Sequence, residues 1–400
     1  MKRFVKIYTY WLLGILLFTG CDDYLKEDSG DLLIPGKVEE FLPMLYREGF
    51  PRNFNDEVAW LYLMTDDVEM GQLELDPEDE ANDTRDKNSS DAFNVGEGEE
   101  PYKWEREIKS YADNFWERRY GNILACNLVI DALPEMEYVE ADSGNYNFLA
   151  AQAYALRAYN YWCLVNSYAL PWSKENLDKP GVIIRMEPQI NISPRGRSSI
   201  REVYDLINED IEKAEKYINI ATFDGNIHRL SEPAILLLAS RIALFQENWD
   251  EVIRTGKLFL AQNSVILNLN DQDTTLFGTE KGLSNKIFTM MDGTINKEVV
   301  FTFGTQSYSP YQYLSTTGAL YGLGFRPSHS TDESLIRSYE EGDLRKKAYF
   351  LEDVPAKKAE NWWEESRPYE YKYYYPIKYR QMSGSTSTKP SDNLVHENWR

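Results

Sequence analysis

Residues 146–168 read YNFLAAQAYALRAYNYWCLVNSY. At helical spacing Ala151, Ala155, Ala158, Trp162 and Val165 form one apolar stripe, and Leu149, Ala153, Leu156 and Cys163 form another. A helix that is apolar nearly all round has to be buried on two sides. The rest of the chain must therefore supply partners on both flanks, and the alanines permit them to come close. Arg157 stands inside this apolar surface. A guanidinium cannot be buried alone, so a partner from a neighbouring element must meet it, in a structural ion pair rather than a ligand contact.

The partners are legible on either side. Residues 37–49 (KVEEFLPMLYREG) predict a first short helix with Gly49 near its end. Residues 110–134 predict a longer one carrying Phe115, Ile123, Leu124, Leu128 and Ile130, ended by Pro134. A loop runs from Pro171 and Trp172, where the Trp172 ring is placed to stack at a helix end, to about Pro194. Ser199 and Glu202 then form a capping box. It opens a helix with Ile200, Val203, Tyr204, Ile207, Ile211, Ala214 and Ile218 on one face. Ser231 with Pro233 opens the next helix, residues 232–246, and Glu247-Asn248-Trp249 turns into another, residues 249–261. This pair looks like a tetratricopeptide hairpin, with Leu238, Ala239 and Leu244 on one arm and Trp249, Val252 and Gly256 on the other. No clean period links the other helices, so any array is degenerate. Trp116, Trp162 and Trp249 lie on helices and are expected in the core.

The texture changes after residue 262. Residues 298–304 (EVVFTFG) alternate as a strand does. Residues 305–330 are rich in Tyr, Ser, Thr, Gly and Pro and read as irregular, 332–340 as a short helix, and 362–380 as loop plus strand. Residues 66–100, with Asp76, Glu78, Asp79, Glu80, Asp83 and Asp86, read as a long, solvated acidic surface loop; a calcium site there stays open as an alternative, though the spacing lacks the order and the glycine of an EF-hand.

The N-terminus follows a different logic. Lys2, Arg3 and Lys6 precede an apolar run, Trp11 to Phe18, and Leu17-Phe18-Thr19-Gly20-Cys21 reads as a lipoprotein cleavage box. The run is too short and wrongly flanked for a membrane span. Cys21 is the expected lipidation site, and two or more acyl chains would anchor the chain stably. Removing residues 1–20 takes away three cations and no anion, so the formal charge of −22 becomes more negative still. Such an acidic body argues against nucleic acid, which needs clustered Lys and Arg. It also argues against electrostatic adhesion to anionic lipid. Cys126 and Cys163, both in apolar helical segments, are expected as buried free thiols rather than a disulfide.

Chemistry-bearing motifs are sparse. His228, His329 and His396 fall in no metal spacing, and no cofactor loop or nucleophile elbow occurs; Gly322-Leu323-Gly324 lacks the context of a dinucleotide site. No metal, no cofactor and no catalytic residue is therefore assigned. Carboxylates are plentiful, so an all-helical glycoside hydrolase or lyase stays open as an alternative. A protein-interaction scaffold or adhesin is a second one. Aromatics make up 14% of the chain, with 28 tyrosines and 10 tryptophans, a surplus that suggests wet contact surfaces able to stack on sugar rings.

Several segments taken in order carry one resemblance: the cleavage box followed by CDDYL, then ALRAYNYWCLVNSYALPW (155–172), RSSIREVYDLINEDIEKAEKYI (197–218), HRLSEPAILLLASRIALFQENWDEVI (228–253), NKEVVF (296–301) and SYEEGDLRK (338–346). In this order the chain resembles the SusD/RagB family of outer-membrane nutrient-binding lipoproteins. The resemblance implies a mostly α fold: a degenerate tetratricopeptide-type scaffold bearing a loop-rich, minor-β part with the ligand site. It implies a protein that is not an enzyme. Such a protein captures a glycan, or a peptide, at the cell surface and delivers it to a SusC-like TonB-dependent transporter in the outer membrane. Asp22 and Asp23 resemble the export signal of such lipoproteins. The expected organisation is a signal peptide at 1–20, a lipidated tether at 21–36, the helical scaffold at 37–262 and a loop-rich region at 263–400. The chain departs from the family in stopping at Arg400, before the usual C-terminal helical segment, as a truncated chain or a short variant would.

Ligand contacts in such a protein come from loops on a rigid helical base. The loop aromatics are Tyr102 and Trp104 before the first long helix, Tyr308, Tyr311, Tyr313 and Tyr321 in the irregular region, and Trp362 and Trp363 in the late loop. Trp104 also lies near a helix start, where a core role is equally in keeping with the sequence.

Overall fold

The computed structural model describes residues 37–51, 63–70, 100–107, 115–136, 138–189, 193–272, 274–276, 297–301, 325–328, 331, 333–352 and 374–376. Within them the protein is mostly helical. The main helices are α1 (Val38–Glu48), α2 (Phe115–Ala132), α3 (Ser143–Tyr168), α4 (Ile200–Ile218), α5 (Glu232–Phe245) and α6 (Trp249–Gln262). Two short helices, α7 (Leu335–Ser338) and α8 (Leu344–Tyr349), follow. Four three-residue strands form two antiparallel pairs: β1 (Val68–Met70) with β2 (Phe325–Pro327), and β3 (Phe350–Glu352) with β4 (Tyr374–Pro376). Val68 lies opposite Pro327, and Phe350 opposite Pro376.

Helix α3 is the centre. Its 26 residues lie between α2 and α4, and fourteen of them are buried, including Leu149, Ala150, Ala151, Ala153, Ala155, Ala158, Tyr161 and Leu164. The alanine faces allow α2 and α4 to close on it from either side. One core cluster gathers Leu45 of α1, Cys126 and Val129 of α2, and Ala214 and Ile218 of α4 around the first half of α3. A second gathers Ile123, Ile200, Val203, Tyr204, Ile207 and Ile242 around its second half.

The required partner of Arg157 is Asp210 on α4. The guanidinium Nε donates to Oδ2 at 2.7 Å and a terminal nitrogen donates to Oδ1 at 2.7 Å, while the other terminal nitrogen donates to Asn127 Oδ1 on α2 at 3.0 Å. Both charged side chains are sealed from water. Burial pushes the Asp210 carboxyl above the ordinary carboxylate range, with the Arg157 hydrogen bonds opposing it. Burial works against the Arg157 charge, but Asp210 outweighs it and holds the guanidinium pKa above its usual value. Asn127 passes the network on, donating to the carbonyls of Arg185 and Glu187. The Tyr161 hydroxyl donates to the Arg185 carbonyl at 2.7 Å and accepts from the Arg185 amide at 2.8 Å. One ion pair thus fixes three helices and the 183–187 segment.

Two more buried polar groups tie α3 to its surroundings. Gln152 donates to the Leu230 carbonyl at 2.7 Å and accepts from the Leu230 amide at 2.9 Å, which holds the approach to α5. Arg119 donates to Asn160 Oδ1 at 3.1 Å and lies over the Phe115 ring. Cys126 and Cys163 are not joined in a disulfide; Cys126 is buried and its thiol is pushed up to about 12 by that burial, a poor nucleophile, while Cys163 is half-buried rather than buried as expected.

The helix starts follow the sequence signals. Ser199 caps α4 by accepting from the Glu202 amide, and Glu202 returns to the Ser199 amide at 2.7 Å. Ser231 caps α5 and Asn248 caps α6. Between α5 and α6 the amide of Glu247 donates to Leu244 and that of Asn248 to Ala243, with Glu247 in the left-handed region (φ 55°). This Schellman turn makes the hairpin tight.

Four expectations are corrected. Residues 298–301 form a turn and bend instead of a strand, because Val300 and the next residue, Phe301, both pack on the core and the Glu298 carboxylate accepts the Leu267 amide at 2.7 Å; residues 302–304 lie outside the described residues. Trp249 is 57% exposed rather than core, since the outer face of α6 carries no described helix; only Thr255 of α6 is buried. Trp116 and Trp162 pack on aromatic neighbours but are half-buried. The 66–100 segment is not loop throughout, because 68–70 pair with β2 and 100–102 are helical, while 71–99 lie outside the described residues.

Two outcomes follow from this packing. Arg157→Met leaves the Asp210 carboxyl buried and unpaired, and should cost about 3–5 kcal/mol in urea unfolding, whereas Arg157→Met/Asp210→Leu recovers most of it; a single-variant loss below about 1 kcal/mol would show that the pair does not organise the core. The hydrogen bonds of the Ser199 amide and hydroxyl hold the Glu202 carboxyl below its ordinary value of 4.5. Its contribution is present above that value and lost as pH falls through the lower folded-state value. Thermal unfolding of the wild type should therefore fall more steeply than that of Glu202→Gln between about pH 5 and pH 3; parallel curves would remove the cap from the account.

Candidate functional site

Of the eight candidate ligand aromatics, Tyr102 and Trp104 fall on described residues; Tyr308, Tyr311, Tyr313, Tyr321, Trp362 and Trp363, like Cys21, lie outside them. The two described residues belong to one helix ending. The amide of Trp104 donates to the Pro101 carbonyl at 3.0 Å and that of Glu105 to the Glu100 carbonyl at 3.0 Å. These are the paired bonds of a Schellman motif, and they place Trp104 at the position after the cap that glycine normally occupies. Trp104 has φ 54°. A bulky L-residue there works against its own Cβ, at a cost of order 1–2 kcal/mol.

The strained residue is not compensated by burial. Trp104 is 68% exposed, the most open tryptophan among the described residues, and its ring meets no other aromatic ring there. Tyr102, two residues back, is half-buried. An exposed indole held in a left-handed turn, where a glycine would relax the backbone, is a candidate for a contact outside the chain. The sequence marked Trp104 as an aromatic near a helix start and could not choose between core and surface. The absence of a glycine after a helix-ending turn was the missing signal.

A different aromatic set is committed to structure. Trp116 packs edge-on against Tyr168 at 4.9 Å with Arg197 over its ring, and Trp172 packs edge-on against Tyr204 at 4.7 Å. These rings close the junction between α2, α3, α4 and the 171–199 segment. A cavity of about 460 Å³ opens elsewhere, where the end of α4, the start of α5 and the end of α6 meet. Among the described residues no group of three His, Cys, Asp or Glu side chains converges as a metal would need.

Comparison with known proteins agrees with this architecture. Residues 50–244 match the SusD-like family model described as starch-binding associating with outer membrane. SusD-like protein P38 of Formosa agariphila is 27% identical over 158 residues, which is 39% of this chain and 27% of that protein. A SusD superfamily protein of Bacteroides vulgatus superposes with a TM-score of 0.58 at 16% identity, covering 88% of this chain and 70% of its own. A SusD-like carbohydrate binding protein of the same organism gives 0.54 at 17%, covering 86% and 66%. Residues 50–244 thus resemble the SusD-like family, and the described residues have the helical, tetratricopeptide-like fold of the solved SusD superfamily structures. The match spans little more than a quarter of the curated relative and about two-thirds of the solved chains.

Replacing Trp104 with glycine should raise, not lower, folding stability, by about 1 kcal/mol. Denaturant unfolding of Trp104→Gly and Trp104→Ala checks this: Gly above Ala supports the strained turn, and destabilisation by both would return Trp104 to a packing role.

Proposed function

We propose that this protein is a lipid-anchored capture protein of the outer-membrane surface that binds a glycan without cleaving it and delivers it to a SusC-like TonB-dependent transporter. The observation that carries the binding step is Trp104, exposed and held at φ 54° where glycine would be easier. An indole face covers the C–H face of a pyranose ring well, and its rigidity keeps the ordering cost of binding low. Tyr308, Tyr311, Tyr313, Tyr321, Trp362, Trp363 and half-buried Tyr102 are proposed as the remaining platform.

The ligand class and the location are supported by the family description, starch-binding associating with outer membrane, and by the carbohydrate-binding name of the Bacteroides vulgatus relative. Lipidation at Cys21 and the transporter partner are taken from the cleavage box and the family resemblance. The helical scaffold at 37–262 and the loop-rich region at 263–400 are proposed as the supporting and ligand-bearing parts. A glycoside hydrolase would need two carboxylates facing across a cleft. Among the described residues the cavity between α4, α5 and α6 is lined by one carboxylate, Glu232, which accepts from Gln262 at 2.8 Å.

Affinity electrophoresis of the detergent-solubilised full chain through starch, laminarin and a peptide control tests the reading. We expect retardation by a polysaccharide, no released oligosaccharide, and at least a fivefold loss of affinity in Trp104→Ala, on the order of one stacked aromatic contact. Oligosaccharide release would replace capture with hydrolysis, and unchanged affinity in Trp104→Ala would move the site elsewhere.

A further inference from the structure

The cavity at the helix ends combines an apolar floor with a polar rim. Its apolar floor comes from Ile218, the last residue of α4, and Pro233, in the first turn of α5. One wall is the Phe223 ring, 39% exposed. That ring is backed by the buried Phe148 of α3, with centroids 6.1 Å apart, and its segment is pinned by the Thr222 amide donating to the Gly144 carbonyl at 3.1 Å. It is therefore held from behind and open on the other side.

Polar groups rim the opposite side. Gln262 Nε2 donates to Glu232 Oε1 at 2.8 Å, across α5 and α6, which fixes a carboxylate and an amide side by side. Glu232 Oε2 and Gln262 Oε1 remain as acceptors, and the Asn219 amide lines the same cavity. Neighbouring acceptors beside an amide suit adjacent hydroxyls. Among the described residues no Lys, Arg or His lines the cavity to offer an anion a countercharge. Its volume, about 460 Å³, falls within the range of small-molecule pockets, about 300–1,000 Å³. We propose that this cavity is a second saccharide-binding site, taking one neutral sugar residue with its C–H face on Phe223 and its hydroxyls on Glu232, Gln262 and Asn219. It rests on the glycan reading above only for the choice of sugar as ligand, since none of its residues belongs to the Trp104 turn.

Isothermal titration of the full chain with maltotriose and with glucose tests it, using Phe223→Ala, Gln262→Ala and Trp104→Ala. Gln262 is exposed, so its variant keeps the test valid if Phe223→Ala folds poorly. We expect two binding events in the wild type. One should weaken about fivefold or more in Phe223→Ala and Gln262→Ala, as loss of a stacked ring or of a paired hydrogen bond would do. The other should respond to Trp104→Ala alone. A single event abolished by Trp104→Ala and untouched by the cavity variants overturns the second site and leaves the proposed function standing. A single event lost in the cavity variants and kept in Trp104→Ala supports the cavity and removes the Trp104 site. No binding of either sugar overturns the second site.

Discussion

The buried pair Arg157–Asp210 is the constraint on which this fold turns. Two charges sealed from water are tolerable only with close geometry and with every remaining donor occupied. Here the guanidinium forks onto Asp210 at 2.7 Å on both arms and spends its third contact on Asn127. That demand fixes the rotation of α2 and α4 about α3. Once those helices are set, the alanine faces of α3 determine how close they come, and the network continues into the 183–187 backbone. A hydrophobic replacement of similar volume could be as stable; what the ion pair adds is a single register for three helices.

The strained surface residue is held by local bonds of its own. A tryptophan at φ 54° is sustained only when surrounding bonds over-determine the turn, and the two Schellman hydrogen bonds at Trp104 and Glu105 do so. The same device recurs at Glu247, where it closes the α5–α6 hairpin and the side chain faces solvent with no role in packing. The two turns share a backbone conformation and differ in what they present: a charge in one, a flat ring in the other. The ring is the one suited to recognition.

The scaffold was largely legible in the sequence because its signals are local. The capping pair Ser199–Glu202, the Ser231 cap and the all-round apolar character of 146–168 each act within a few residues, and each is found as read. The buried Arg157 announced that it needed a partner, though not which one; Asp210 lies 53 residues away, and no local pattern singles it out among the acidic residues of α4. Alternation misled at 298–301, since two adjacent side chains reach the core from an irregular turn. Trp249 misled because a helical stripe predicts burial only where another element covers it. The candidate site was legible only as residue type: Trp104 stood out as a loop aromatic, but its exposure follows from a left-handed turn fixed by backbone bonds, which residue type does not encode.

The most direct measurement is a crystal structure of the full chain with maltoheptaose bound. The account predicts a glucose ring lying parallel to the Trp104 indole, with φ of Trp104 still positive and the Arg157–Asp210 fork intact. A bound glycan that leaves Trp104 uncovered, or a Trp104 backbone relaxed to negative φ, would contradict it.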